Sequence, residues 1–305
     1  MLNPLKLIIC GSSKITHYHI EAIKNIRKIK IEGIFSNNSI ERDILSKKYN
    51  IKIIYELNKD NLEKFDLALI TSSTDKHFHY IDILSKYIKK IIIEKPIVVS
   101  LEEMNKIKIL SSSNKIFFKE INFFHKTKVP KFFSNMDIVI NKKRYESDFK
   151  NYNGNIDFNK SITYNHLTHY YDLISNFLGK DFYINNIMHE EFDQKNKMYK
   201  KIKVNFYNNE KQEVKISIDL NYKNSLNNKI IFYDNGFFKN KLARIYNFLI
   251  RIFNIYSISN KYKKKLFIKM YKNYLNELNI NQDNYINFIE KKVKDIVMIN
   301  EKKNL

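Results

Sequence analysis

The sequence predicts an α/β protein of two domains: a doubly wound parallel sheet, followed by an α+β domain whose sheet is mainly antiparallel. Three observations carry that expectation. Short apolar runs alternate with amphipathic segments through the first 120 residues, as βαβ units require. One run, Ile91-Ile92-Ile93, ends directly on Glu94-Lys95-Pro96, so a buried strand delivers a cation to the side where open parallel sheets hold ligands, and proline stiffens the exit. Beyond residue 122, segments of alternating polarity follow one another, which is the habit of antiparallel sheets with one wet face.

Taken in order, strands are expected at 6–10, 30–35, 51–54, 66–71, 90–94 and 115–119. Helical periodicity fills 15–27, 39–48, 76–89 and 100–111, with Ser39 and Ser100 placed as N-caps and Glu102 and Glu103 in a first turn. The first domain is thus expected over 1–121 and the second over 122–305. In the second, an apolar stretch at 137–140 precedes a helix over about 161–178 that Gly179 closes. Ile202, Val204 and Phe206 then alternate with polar residues, as do Val214, Ile216, Ile218 and Leu220, and Asn208-Asn209 between them reads as a hairpin turn. A further strand at 229–233 ends at Asn235-Gly236, and from 240 onward the chain reads as helices.

Composition bounds the function. With 305 residues and 44% hydrophobic content the chain can bury a sizeable core. Cys10 has no partner for an intramolecular disulfide, and the N-terminus lacks a basic region followed by an apolar stretch, so a reducing cytoplasm is the expected location. No uncharged apolar segment reaches the ~20 residues that cross a bilayer, the nearest being broken by Arg244 and Arg251. The net charge of +22 accompanies a chain-wide excess of Lys, Asn and Ile, so it does not by itself indicate nucleic acid, and no nucleic-acid partner is expected. Charge does cluster once: from Asn235 to Asn276 there is no Asp or Glu. The apolar positions interleaved with cations over 239–272 fit either a helix lying on an anionic membrane or an ordinary helix buried on one side.

The strand at 6–10 runs into Gly11-Ser12-Ser13-Lys14-Ile15-Thr16 and then a helix, where a dinucleotide-binding fold places Gly-x-Gly-x-x-Gly. Ser13 and Thr16 occupy the second and third glycine positions; their hydroxyls can bond phosphate, and the helix N-terminus remains an anion site. The second strand ends on Ser36-Asn37-Asn38, with no carboxylate to receive the ribose hydroxyls of NAD. Arg42 is nearby, so NAD and NADP both stay open. The pairs His17/His19, His77/His79 and His166/His169 have neither the spacing nor a carboxylate set for a metal, and none is expected.

Gly11 through Thr16 with His19 and Ala22, the strand Asp66–Thr71 followed by His77, Glu94-Lys95-Pro96, and Asn165-His166-Leu167-Thr168-His169-Tyr170-Tyr171-Asp172 together resemble the Gfo/Idh/MocA oxidoreductase family; Lys229 to Phe237 resembles its late strand and turn. The resemblance implies an N-terminal Rossmann-type domain, a C-terminal domain whose open sheet mediates homo-oligomerisation, and NAD(P)-dependent oxidation or reduction of a sugar or nucleotide sugar, with surface polysaccharide synthesis as one setting. It implies a cofactor surface of Gly11, Ser12, Ser13, Lys14, Ile15, Ser36, Asn37, Thr71, Ser72, His77, Glu94 and Lys95. It also implies a catalytic group of Lys95, His169 and Asn165, with Asp172 supporting His169. Two departures bear on activity. Asn165 stands where the family often has an aspartate, and Leu167 where a glycine is usual. With the lost loop glycines, Asn165 motivates the alternative of a non-catalytic member serving as a binding or scaffold subunit.

Overall fold

A computed structural model describes residues 3–124, 127–141, 166–193, 198–220, 229–234, 237–253, 260–278 and 282–301. Its contacts divide the chain into two compact units, residues 1–123 with 258–293, and residues 124–257 with 294–305. The C-terminal segment 258–293, which the sequence groups with the second domain, is thus part of the first unit.

The first unit is built on strands β1 (Leu5–Cys10), β2 (Ile29–Phe35), β3 (Leu67–Ile70), β4 (Lys90–Ile93) and β5 (Phe117–Glu120), all parallel, in the order β2-β1-β3-β4-β5. Leu67 through Ile70 and Ile91 through Ile93 are buried throughout, as strands covered on both faces must be. Helices α1 (Lys14–Ile23), α2 (Ser39–Tyr49), α3 (Lys59–Leu62), α4 (His77–Leu84) and α5 (Leu101–Asn114) make the connections. The segment 51–54, expected as a sixth strand, makes only an isolated bridge from Ile53 to Ile34. Ser100 caps α5 by accepting from the Glu103 N–H, whereas α2 is capped by Asn38 rather than Ser39: its side chain accepts from the Glu41 N–H and leaves Ser39 as the first helical residue. Helix α8 (Asn260–Glu277) completes this unit, its Phe267, Met270, Tyr271 and Tyr274 joining Leu7, Ile9, Ile20 and Ile23 in one core cluster.

The second unit holds β6 (Asn135–Asn141), β7 (Phe182–Asp193), β8 (Met198–Asn208), β9 (Glu213–Asp219) and β10 (Lys229–Tyr233), in the order β10-β6-β9-β8-β7. Only β6 and β9 pair in parallel, so the sheet is mixed and mostly antiparallel. Alternation sends Met136, Ile138, Ile202, Val204, Phe206, Val214 and Ile216 to the buried face. Helix α6 (Thr168–Leu178) buries Tyr171, Leu173, Ile174 and Phe177 in that unit's core. Helix α7 (Phe237–Phe253) lies along β10, where the Asn247 amide accepts from the Phe232 N–H at 2.9 Å and donates to the Phe232 carbonyl at 2.7 Å. At Phe232 the edge strand's outward N–H and carbonyl are thereby satisfied by a side chain instead of another strand. Helix α9 (Asp283–Glu301) spans the division between the units.

Candidate active site

In the first unit β1 pairs with both β2 and β3, so the connections after β1 and β3 leave the sheet in opposite directions and open a crevice at the carboxyl ends. Gly11 sits there with φ +123°, a conformation that side chains rarely adopt. A Cβ on Gly11 would lie 2.4 Å from the Ser72 nitrogen and 2.6 Å from the Thr71 carbonyl carbon, so the two loops approach to a distance only glycine permits. The Gly11 N–H donates to the Phe35 carbonyl at 2.8 Å, and the Ser12 and Ser36 hydroxyls meet at 2.8 Å, which ties the β1 turn to the end of β2.

Thr16 does not present its hydroxyl to the crevice. It is fully buried and donates to the Thr71 hydroxyl at 2.9 Å, so at the third glycine position a side-chain bond holds helix to strand where close backbone packing otherwise would. Ser13 stays exposed as the N-cap of α1, making no side-chain cap bond, and the first turn holds no acidic residue. That leaves the amide end of a ten-residue helix facing the loop as an anion site, with exposed Lys14 in its first turn. Arg42 donates to the Ser36 carbonyl at 3.5 Å and pairs with Asp43 at 2.9 Å, so a guanidinium held by a neighbouring carboxylate stands at the end of β2, while the strand end Ser36-Asn37-Asn38 itself carries no acid. Asn37 is exposed beside it.

Strand β4 delivers Glu94 and Lys95, both partly buried, to the same edge, and the Lys95-Pro96 bond is cis. Glu94 is the hub. His19 Nε2 lies 2.7 Å from its carboxylate, and His19 Nδ1 lies 2.6 Å from the Tyr271 hydroxyl. All three groups are satisfied when Tyr271 donates to Nδ1 and Nε2–H donates to Glu94. Burial pushes the Glu94 carboxyl up, but the hydrogen bond from His19 and the nearby Lys95 cation outweigh burial and hold it below its ordinary value. An ionised Glu94 thus sits next in sequence to the Lys95 cation.

His77 is 1% exposed, with Nδ1 2.7 Å from the Pro96 carbonyl and Nε2 3.2 Å from the Ser72 carbonyl. It braces the β3 loop against the turn after Lys95. Burial dominates and holds its pKa below the ordinary 6.5, although both carbonyls favour the protonated ring. The unfolded chain therefore binds the proton more readily: stability conferred by neutral His77 is complete above pH 6.5 and is lost as the pH falls below it. Unfolding free energies from urea titrations between pH 7.5 and 5.5 are expected to fall with pH, by at most about 1.4 kcal/mol per pH unit from this group, and His77→Gln is expected to flatten the fall. An unchanged slope in that variant refutes the assignment.

Sequence reasoning missed the residues that hold the turn from β4 into α5. Glu120, 2% exposed, accepts the Ile97 N–H at 2.9 Å with one carboxylate oxygen and pairs through the other with Lys292, 1% exposed. Lys119 pairs with Glu277 at 2.5 Å and lies 3.8 Å from the centre of the Tyr285 ring. Two adjacent charges closing the apolar run Ile116-Phe117-Phe118 were the available signal, because a strand end buried in a core requires partners for both.

Gly11, Ser12, Ser13, Lys14, Ile15, Ser36, Asn37, Thr71, Ser72, His77, Glu94 and Lys95 all belong to the first unit, on or beside the loops at the carboxyl ends of β1 to β4. His169 belongs to the second, partly buried in the first turn of α6, with Asp172 buried one turn on; Asn165 lies outside the described residues. Among the described residues no three His, Cys, Asp or Glu side chains gather as a metal site.

This crevice has the features of a pyrophosphate cradle: a glycine at close approach, an uncapped helix terminus, hydroxyls and a nearby cation. Residues 5–119 match the profile of the oxidoreductase family with an NAD-binding Rossmann fold, Gfo/Idh/MocA. The N-terminal domain belongs to that family. Solved structures agree in fold. UDP-N-acetylglucosamine 3-dehydrogenase GnnA from Acidithiobacillus ferrooxidans superposes with TM-score 0.63 at 11% identity, over 77% of this chain and 75% of that one. KijD10, a 3-ketoreductase from Actinomadura kijaniata in complex with NADP and TDP-benzene, gives 0.64 at 12% identity, over 76% and 74%. An oxidoreductase from Agrobacterium radiobacter in complex with NAD+, L-tartaric acid and magnesium gives 0.63 at 12% identity, over 75% and 72%. No curated protein matches the sequence. The Gfo/Idh/MocA domain here thus keeps its first loop glycine and its Glu-Lys-Pro turn while replacing two loop glycines with hydroxyl residues.

Proposed function

We propose that the chain is an NADP-preferring oxidoreductase acting on a CH–OH or keto group of a sugar or nucleotide sugar. The observation that carries this reading is the Glu94-Lys95-Pro96 turn, braced by His19 and His77 at the same sheet edge as the Gly11 loop. The nicotinamide cofactor, when bound, accepts or supplies the hydride. The chain's own residues do the rest. The α1 terminus and the Gly11–Ser13 backbone receive the pyrophosphate, and the Arg42 guanidinium, exchanging its Asp43 partner for the more highly charged group, favours a 2′-phosphate. Lys95 stabilises negative charge on the substrate oxygen, and His169 exchanges its proton; both roles are assigned from the family resemblance. The sugar class is supported by the fold likeness to GnnA, a UDP-N-acetylglucosamine 3-dehydrogenase, and the keto group by that to KijD10, a 3-ketoreductase.

A fluorescence titration with NADH and NADPH tests this reading, followed by turnover assays on a nucleotide-sugar panel. NADPH is expected to bind more tightly, Arg42→Ala to bring the two cofactors within about threefold of each other, and Lys95→Ala to keep cofactor binding while losing at least ~100-fold in turnover. A folded protein that binds neither cofactor returns the assignment to a non-catalytic subunit.

A further inference from the structure

Helix α7 is apolar on two sides. One side serves the fold: Ala243 is buried, Asn247 holds the β10 edge, and Tyr246 packs on Phe133 and Phe232. The other carries Leu242, Ile245, Phe248 and Leu249, exposed by 57, 53, 63 and 39%. Their spacing places them on one stripe of the helix surface. Single exposed apolar residues are ordinary, but four on one stripe require a reason that the fold does not supply.

Charge says what covers the stripe. Over Phe237–Phe253 the helix carries Lys239, Lys241, Arg244 and Arg251 and no Asp or Glu, and the acid-free run extends by sequence from 235 to 276. A second copy packed stripe to stripe would oppose these cations without a carboxylate on the helix to offset them. Nucleic acid would engage the cations and leave the phenylalanine and isoleucine in water. An anionic bilayer satisfies both, taking the apolar stripe at the acyl boundary and the cations among the headgroup phosphates. No described helix is long and apolar enough to cross a membrane, so the geometry is one of lying on the surface.

We propose that α7 is an interfacial helix that docks this chain on anionic lipid bilayers. The test is cosedimentation of the full chain with vesicles of phosphatidylcholine containing ~30% phosphatidylglycerol, against phosphatidylcholine alone, at low and high salt. Binding is expected to anionic vesicles at low salt and to weaken at high salt. Lys241→Ala and Arg244→Ala are each expected to weaken it about fivefold, and Ile245→Ser with Phe248→Ser at least ~10-fold. Unchanged urea midpoints establish that these exposed variants remain folded. The proposal fails if anionic vesicles do not sediment the protein, or if the serine variant binds them as wild type does. It also fails if that variant converts an oligomer to a monomer without changing vesicle binding, which would make the stripe a self-association face.

Discussion

Gly11→Ala is expected to abolish measurable binding of NADPH and NADH and to lower unfolding free energy by about 4 kcal/mol. Two costs combine. At φ +123° an alanine is strained by roughly 1–3 kcal/mol, and its Cβ would meet backbone atoms of Thr71 and Ser72 at 2.6 and 2.4 Å. Backbone at a strand end cannot yield as a side-chain tip does, so the β1 and β3 loops must separate, adding about 1–3 kcal/mol. That separation opens the crevice in which the pyrophosphate is proposed to sit. Gly33→Ala supplies the control. Its Cβ would meet side-chain atoms, Phe65 Cζ at 2.8 Å and Ile54 Cγ1 at 2.9 Å, away from the crevice. It should cost stability while leaving cofactor affinity intact. Fluorescence titration and urea denaturation of both variants decide the matter; a Gly11→Ala protein with wild-type affinity and midpoint would remove the loop from the binding site.

Lys292→Met is expected to destabilise the protein by about 3–5 kcal/mol, because it removes the Lys292 cation from beside the Glu120 carboxylate in a site with 2% exposure. Desolvation makes a buried charge that has lost its counter-ion far costlier than the ion pair. Glu120→Gln in the same chain should therefore recover much of the loss, since a glutamine oxygen can still receive the Ile97 N–H and no charge remains. Urea unfolding of the two single variants and the double variant measures this coupling. A double variant no more stable than Lys292→Met would show that the pair does not act as a unit. Glu120 also governs the turn that follows Lys95, so the single variant should raise the apparent Kd for cofactor before it unfolds the protein.

The first sheet was legible because its signals are local. Buried parallel strands are short apolar runs, and Gly11 and Pro96 mark where the chain leaves them. The second sheet was legible through period-two alternation, as at Ile202, Val204 and Phe206. The segment 51–54 shows the limit of such reading, since Ile51, Ile53 and Ile54 have strand composition but make only one bridge. Ser39 shows another: cap identity depends on which side chain reaches the free N–H, and Asn38 reaches that of Glu41.

By itself, then, the sequence determined the sheet types, the placement of Gly11, Ser36, Thr71 and Lys95 at strand ends, and the family of the N-terminal domain, because each is written in residues adjacent along the chain. Tertiary structure alone decided what fixes those residues. Tyr271 reaches His19 across 252 positions, and Lys292 reaches Glu120 across 172. Thr16 gives its hydroxyl to Thr71 instead of the crevice. Such pairings follow from where α8 and α9 return against the first unit, and the free energy of a buried polar contact is set by its partner, not by its neighbours in sequence.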